Sequence, residues 1–524
     1  SYMMISAKIK RIAGLLSVLL LMAPFSHAQT GSATHTIITY NVENMFDADG
    51  VARFDDYRPA DDQGNPLYTK EDVLTKIQNA VEVIGQYNNG NGPEILILQE
   101  LESDFTHSKG EERLSLAEFN ERYGDTRLQY MLGEEFDEQI KDLPSELLLY
   151  KGLQDAGMDN YEMAVGYNRK NEDGEPEHAH KNVVFSRLPI DSSKTNIHYI
   201  PNARPILEVW LSNGSSDDSL VVFANHWKSG ASSWDTEKTR IKNARVLQNR
   251  TSELFQANPD LDIILGGDFN SDYNQKYRYD MSRTGINTVL STTGDELSVA
   301  NGEYRGFYNL WYELSVDRRY SDAYRGKWGT LMHLMVSHGL YDSLGYQYVD
   351  GSFEVGQFDG LNSYKNSGQP KRWSSVGDGY GYSDHFPLSM QVKLIPDRKE
   401  SESTIALEDP GEVDNDKWSP IPVEYNFPPK NAMTGKDIEG VSLKGNHAYY
   451  GRYFKLEAEL TPDYNVRVKN EEFDIYTPGF DFQSELEKNN IEPGQTFHFY
   501  GRLSRYRGTW QFIIEDRRYI GVNP

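Results

Sequence analysis

The chain reads as an α/β protein followed by a smaller β-rich module, and three observations carry that reading. Short apolar runs recur, each closing on one polar group, as fully buried sheet strands do. Between them lie segments with apolar residues at helical spacing: Val73, Leu74, Ile77, Val81 and Ile84 within 70–88, and Ile241, Ala244, Leu247 and Leu254 within 240–255. Around 396–430 the composition turns charged and proline-punctuated, from Lys399-Glu400-Ser401-Glu402-Ser403 to Pro429, as in a linker.

The strand ends hold the chemistry. Thr36-Ile37-Ile38-Thr39-Tyr40 ends on Asn41 and Glu43, and Glu94-Ile95-Leu96-Ile97-Leu98 leads to Glu100. Leu220-Val221-Val222-Phe223-Ala224 delivers His226, with Lys228 just behind. Leu261-Asp262-Ile263-Ile264-Leu265 stops on Gly266 and Gly267, which permit a sharp turn and leave room for a ligand, and presents Asp268 and Asn270. Two residues apart, that Asp and Asn can face one side, the first as base or metal ligand and the second as hydrogen-bond donor. Ser383-Asp384-His385 precedes a final strand. Taken singly, Asn41 is a turn former, Glu100 a solvated strand end, His226 a structural histidine and Asp384 a cap. Taken together they form an oxygen-rich, cysteine-free set suited to a hard cation, Mg²⁺, Mn²⁺ or Ca²⁺, rather than to zinc.

At these residues, over about 35–395, the chain resembles the endonuclease/exonuclease/phosphatase superfamily. The resemblance implies a four-layer α/β sandwich, two mixed sheets flanked by helices, and metal-assisted hydrolysis of a phosphoester by an activated water. It implies that Glu100, with Asn41 and Glu43, holds the ion, while Asp268 orients or deprotonates the water beside Asn270. His226 and His385 would donate to the developing phosphoryl oxygens, and Asp384 would complete the metal or histidine environment. Arg187 stands where the superfamily often has an arginine near the phosphate, with a surface ion pair as the alternative, and Lys228 and Arg325 are further substrate contacts. One departure stands out: Met332 occupies the place of an aspartate that would orient His385. A thioether neither accepts a proton nor fixes a histidine tautomer, so another carboxylate must serve or the role is weakened, with Asp322 and Asp342 near in sequence.

Composition bounds the rest. At 524 residues, several hundred can share one sandwich and leave a further module, so the expected divisions are 33–396, a linker 397–430, and 431–524. Lys8, Lys10 and Arg11 before an apolar run from Ile12 to Met22, then Ser26-His27-Ala28, predict a secretory signal over 1–28. That places the mature protein in the periplasm or medium with no stable membrane anchor. The net charge of −26 opposes a polyanionic partner and reads as an environmental adaptation that keeps an exported protein soluble.

Three segments complete the reading. Phe46 to Asp62 is expected as a surface loop, although Asp47-Ala48-Asp49-Gly50 is similar to a calcium loop, and His178 and His180 as part of a mobile loop rather than a metal clip. The aromatic and basic residues of 304–328 suit either nucleic-acid contact or packing. Strands over 453–460, 466–476, 496–501 and 511–515, with a helix over 481–489, resemble an OB-fold barrel of the nucleic-acid-binding type, with Arg505 and Trp510 as binding residues. The function expected is that of a secreted metal-dependent nuclease for DNA or RNA. The alternatives are a phosphodiesterase or phosphatase for lipid or small phosphoesters, and a non-catalytic binding protein of the same fold.

Overall fold

The computed structural model describes residues 34–105, 114–212, 219–342, 344–358, 360–364, 367–374, 380–395, 428–429 and 432–524. The expected signal and all of the expected linker except Pro428 and Pro429 lie outside these residues.

The chain opens with β1 (Thr34–Met45), β2 (Ile95–Glu102), β3 (Glu162–Val165) and β4 (His180–Ser186). It continues through β5 (Asn196–Ile200), β6 (Ala203–Ser212), β7 (Ser219–His226), β8 (Asp262–Asp268) and β9 (Tyr308–Asn309). A hairpin of β10 (Asp322–Tyr324) and β11 (Lys327–Gly329) precedes β12 (Met332–Val336), β13 (Tyr346–Tyr348), β14 (Glu354–Val355) and β15 (Leu388–Leu394). Two mixed sheets result, ordered β13-β15-β1-β2-β4-β3 and β5-β6-β7-β8-β12-β9.

Alternation along the strands builds four layers, because successive side chains point to opposite faces. Ile37, Ile97 and Val184 of one sheet meet Val222, Ile264 and Leu334 of the other in a core between the sheets. Their neighbours Ile38, Leu96 and Leu98 face outward onto helices α1 (Lys70–Ile84) and α2 (Ser145–Asp155). Val221, Ile263 and Leu265 face the other way, onto α3 (Trp234–Ala257). Each fully buried Ile or Leu contributes roughly 1.5–3 kcal/mol by leaving water. Gly266 and Gly267 do not end their strand, as the sequence suggested; both lie inside β8. A side chain at Gly266 would collide with Ile97 of the facing sheet, and Gly267 has φ +136° against the Asn225 backbone, so glycine serves close packing there.

The C-terminal part comprises β16 (Met433–Thr434), β17 (Tyr453–Leu460), β18 (Val466–Val468), β19 (Glu471–Tyr476), β20 (Thr496–Tyr506) and β21 (Thr509–Ile513). The segment read as one strand over 466–476 is a hairpin, turned at Lys469 with φ +53°. Pairing of β17 with β20 closes β17, β18, β19, β21 and β20 into a five-stranded barrel of OB-like form, with α4 (Phe482–Lys488) before β20.

The barrel is docked on the sandwich. Arg505 lies 3.7 Å from Asp72 and Arg452 pairs with Glu82, so the barrel holds α1 near both ends. Lys371 and Arg502 reach Glu515 at 3.4 and 3.7 Å, Arg502 covers the Tyr380 ring at 4.2 Å, and the Tyr380 hydroxyl donates to the Gly451 carbonyl at 3.0 Å. Trp510 is buried against His447 and Tyr450. Arg505 therefore pairs across the joint between barrel and sandwich, and Trp510 packs on its own module's His447 and Tyr450, where both were expected as nucleic-acid contacts. Phe46, Asp47 and Asp49 are likewise buried, where a surface loop was expected, because Glu102 accepts the Asp47 N–H at 3.0 Å and draws the segment inward.

Gly451→Val tests the joint. Gly451 has φ +80° and a side chain there would strike the Tyr380 ring. The variant should lose about 1–3 kcal/mol. Calorimetry should resolve a separate, earlier barrel transition where the parent unfolds in one.

Candidate active site

Two adjacent parallel strands break register at the same level, β1 between Asn41 and Met45 and β2 opposite it between Asn41/Gln99 and Met45/Leu101. The bulge turns Glu43, Asn44 and Glu100 into left-handed backbone, with φ +46°, +50° and +65°. Non-glycine residues reach that region only where surrounding contacts over-determine it. Asn270, at φ +46°, does the same beyond β8. These four residues line one mouth of the sandwich, where the two sheets present their strand ends to each other.

Asn41 joins the sheets. Fully buried, its Nδ2 donates to Glu100 Oε1 at 2.9 Å and to Asp268 Oδ2 at 3.0 Å, and its Oδ1 accepts the Glu43 N–H at 2.9 Å. Glu100 Oε2 accepts the Asn44 N–H at 2.9 Å. Asp268 Oδ1 accepts the Asn270 N–H at 2.9 Å, and Asn270 Nδ2 donates to the Trp227 carbonyl at 3.0 Å. His226 Nε2 stands 3.8 Å from Glu100 and 3.7 Å from Asp268. His385 Nε2 stands 3.7 Å from Asp268 and 3.6 Å from Asp384. Ser383 fixes this last turn by donating to the Asn41 carbonyl at 2.6 Å and accepting the His385 N–H at 3.1 Å. The structure thus brings together Asn41, Glu100, His226, Asp268, Asn270, Asp384 and His385 from five separate segments.

The two central imidazoles differ in charge. Burial pulls His385 down, but Asp384, Asp268, Asp322 and Glu100 outweigh it and hold the ring at about 9. His226 is pushed well below the usual range by burial and by the Arg204 charge, so it is neutral. Burial raises Asp268 against the opposing pull of His385, which gives it proton affinity. Burial also acts to raise Glu100, but His180, the Asn41 amide and His385 prevail and keep it ionised.

The donor set fits a hard divalent cation. Glu100 keeps lone pairs beyond its two backbone and amide bonds, and the buried Asp384 Oδ1 has no hydrogen-bond donor among the described residues. Glu100, His180 and His226 also place one ligand atom each within 4.8 Å of one another.

Several expected residues stand elsewhere. Arg187 is at the opposite end of β2, where it donates to the carbonyls of Asp159, Gly92 and Asn91 and covers the Tyr161 ring at 4.5 Å. It closes the far end of the sandwich and cannot touch substrate at this mouth. Glu43 points away from Glu100 to Arg372, 3.0 Å, and to the Trp373 N–H, 2.8 Å, so it is an ion-pair partner rather than a companion metal ligand. Lys228 is exposed just beyond His226, and Arg325 is exposed at the tip of the β10–β11 hairpin. Most other rings of 304–328 serve packing: Tyr308 and Trp311 are buried, and Arg319 is buried against Tyr273 and Tyr312.

Other site residues escaped the sequence reading. His180, expected in a mobile loop, begins β4, contacts Asn44 Oδ1 at 2.6 Å and stacks on His226 at 5.7 Å. Lys76 reaches the Glu43 carbonyl from α1, and Arg204, at the start of β6, binds the Trp227 carbonyl at 3.2 Å. Only His180 carried a signal, the apolar run that follows it. Near Met332 the structure selects Asp322. Met332 lies opposite Asp268 in the ladder, buried between the sheets. Asp322, buried, pairs by backbone with His385 and accepts from Ser321 Oγ at 2.8 Å and the Leu331 N–H at 3.0 Å. Asp342 sits at the other end of β8, grouped with Asp260 and His338.

Residues 190–394 match the model of a family described as the Endonuclease/Exonuclease/phosphatase family. No curated protein matches the chain by sequence. Similar solved structures include truncated TDP2 of Caenorhabditis elegans, 11% identical with a TM-score of 0.36, covering 69% of this chain and 98% of that one. An endonuclease/exonuclease/phosphatase from Beutenbergia cavernae is 12% identical with TM-score 0.36, covering 69% and 72%. A mannosyl-6-phosphatase of Bacteroides thetaiotaomicron is 15% identical with TM-score 0.36, covering 69% and 99%.

If Asp322 supplies charge to His385, Asp322→Asn in metal-free protein should lower the titration of that ring from about 9 by about one pH unit. Asp342→Asn should leave it in place. Ring carbon chemical shifts followed by NMR against pH read both, and equal behaviour of the two variants refutes the assignment.

Proposed function

With the sandwich belonging to the endonuclease/exonuclease/phosphatase superfamily, we propose that the chain hydrolyses phosphoester bonds by attack of a water activated at Asp268. The carrying observation is the convergence of Asn41, Glu100, His226, Asp268 and His385 on one mouth within 4 Å contacts. Asp268, raised by burial and held by the Asn41 and Asn270 amides, orients the water and accepts its proton. His385, protonated, donates to a non-bridging phosphoryl oxygen, and neutral His226 donates to a second without adding charge. Asn270 holds its loop by the bond to Trp227, keeping its backbone N–H on Asp268. Glu100 and Asp384 would hold Mg²⁺, or Mn²⁺ or Ca²⁺, and a bound ion supplies neutralisation of the phosphate and leaving oxygen.

For substrate we propose a phosphodiester of DNA or RNA, contacted by Lys228 and by the Tyr324 and Arg325 side chains exposed on the hairpin beside His385. A second reading, a small phosphoester, is favoured by one observation: the barrel turns Arg502 and Arg505 onto the sandwich instead of outward. Export through the N-terminal segment remains part of the proposal.

The test is a substrate panel with added divalent ion: supercoiled plasmid, a single-stranded RNA, bis(p-nitrophenyl) phosphate and a sugar phosphate. Plasmid or RNA cleavage supports the nuclease reading, and turnover of the sugar phosphate alone supports the second. In either case Glu100→Gln should lower kcat by about 10²-fold or more while the protein still folds, with a stability loss of about 1–3 kcal/mol because the amide faces one of the two donors, Asn41 or Asn44. Near-parental turnover at saturating metal would sink the assignment.

His180→Ala should separate binding from structure at the same mouth. Removing the ring that stacks on His226 and bonds Asn44 should reduce kcat/KM by about 10-fold, roughly 1.4 kcal/mol. His180→Asn, which keeps a hydrogen-bonding group, should recover part of the loss in steady-state assays.

A further inference from the structure

A second group of carboxylates lies away from the catalytic mouth. Glu296 comes from the short helix Glu296–Ala300, Glu313 from the turn Leu310–Glu313 that follows β9, and Asp350 from the chain just beyond β13. Each places an oxygen within 4.8 Å of the other two. Strands β13 and β9 are the outer strands of the two sheets, so the group spans one edge of the sandwich, with a carboxylate attached to each sheet. Glu296 is fully buried, Glu313 half-buried and Asp350 exposed, which gives a solvent path to a buried floor.

A cluster of acids alone says little, but this one has an unsatisfied floor. Glu296 Oε1 accepts from the Tyr341 hydroxyl at 3.0 Å, whereas Oε2 is buried, receives no N–H or hydroxyl donor among the described residues, and has the Asp350 carboxylate as its neighbour. An unpartnered carboxylate oxygen in a dry environment is costly, by several kcal/mol, unless a cation or proton reaches it. The Tyr348 hydroxyl donates to Glu313 Oε1 at 2.9 Å, so the outer acid is fixed as well.

We propose that Glu296, Glu313 and Asp350 form a structural calcium site that clamps the edges of the two sheets together. The chemistry is that of a hard cation: three carboxylates, no nitrogen or sulfur donor in the group, and access for water to complete six to eight oxygens. Mg²⁺ is usually held by one or two carboxylates and keeps several waters, so a three-carboxylate group is of the Ca²⁺ kind.

Full-length protein stripped with chelator is melted with and without CaCl₂ at constant ionic strength, near pH 8. Calcium at about a hundred times its dissociation constant should raise Tm by roughly 3 °C. The rise should persist in Glu100→Gln, where the catalytic mouth is impaired, and should vanish in Asp350→Asn and Glu296→Gln. Asp350 is exposed, so its variant folds even if the buried Glu296 variant does not. Terbium luminescence excited through the neighbouring tyrosines should show the same dependence. Three results overturn the site: no rise with calcium, a rise lost in Glu100→Gln but kept in Asp350→Asn, or an equal rise with MgCl₂ at the same concentration.

Discussion

The candidate active site depends on one buried carboxamide. Asn41 belongs to the first sheet, yet its amide donates to Glu100 of that sheet and to Asp268 of the other. Two like-charged carboxylates would otherwise repel across the mouth, and an amide to both converts that repulsion into two charge-assisted hydrogen bonds, each worth about 1.5–3 kcal/mol. The same carboxamide accepts the Glu43 N–H, and the residue's carbonyl accepts from Ser383. The β1 bulge, the β2 strand end, the β8 tip and the Ser383–His385 turn are therefore all referenced to one residue. His226 and His385 take their places around the carboxylates that Asn41 holds.

A second constraint comes from the far side of α1. The barrel pairs with Asp72 and Glu82 on that helix, while Lys76 between them reaches the Glu43 carbonyl and Asn79 donates to the Gly381 carbonyl at 2.8 Å. Tyr380 carries the same contact into the chain just before Ser383. The barrel thus supports the wall behind the site. Arg452, Arg502 and Arg505, which in a free barrel would face solvent, are used in that support.

The place of Met332 illustrates how a tertiary structure can move a charge without losing it. The strand position beside Asp268 is apolar, and a hairpin that packs over it brings Asp322 to the same imidazole. Electrostatic support needs a carboxylate near the ring, not a carboxylate from a given strand. The positive field around His385 is matched by four acids, so the exchange leaves the ring charged.

What the sequence determined by itself follows from local rules. Continuous apolar runs closing on polar residues identified β1, β2, β7 and β8, and helical spacing identified α1 and α3. Asn41, Glu100, His226 and Asp268 were legible for the same reason, and His385 because it stands just before an apolar strand. The tertiary structure decided which end of a strand a residue occupies and what faces it. Arg187 follows an equally apolar strand, but β4 runs antiparallel to β2 and carries it to the wrong end. His180 begins that same strand and so arrives at the site. Arg505 and Trp510 have the composition of a binding face, but Arg505 pairs with Asp72 of α1 and Trp510 is buried against His447 and Tyr450. Apolar runs and spacing are properties of a few neighbouring residues; direction, facing partner and burial depend on segments up to several hundred residues away, and no local pattern encodes them.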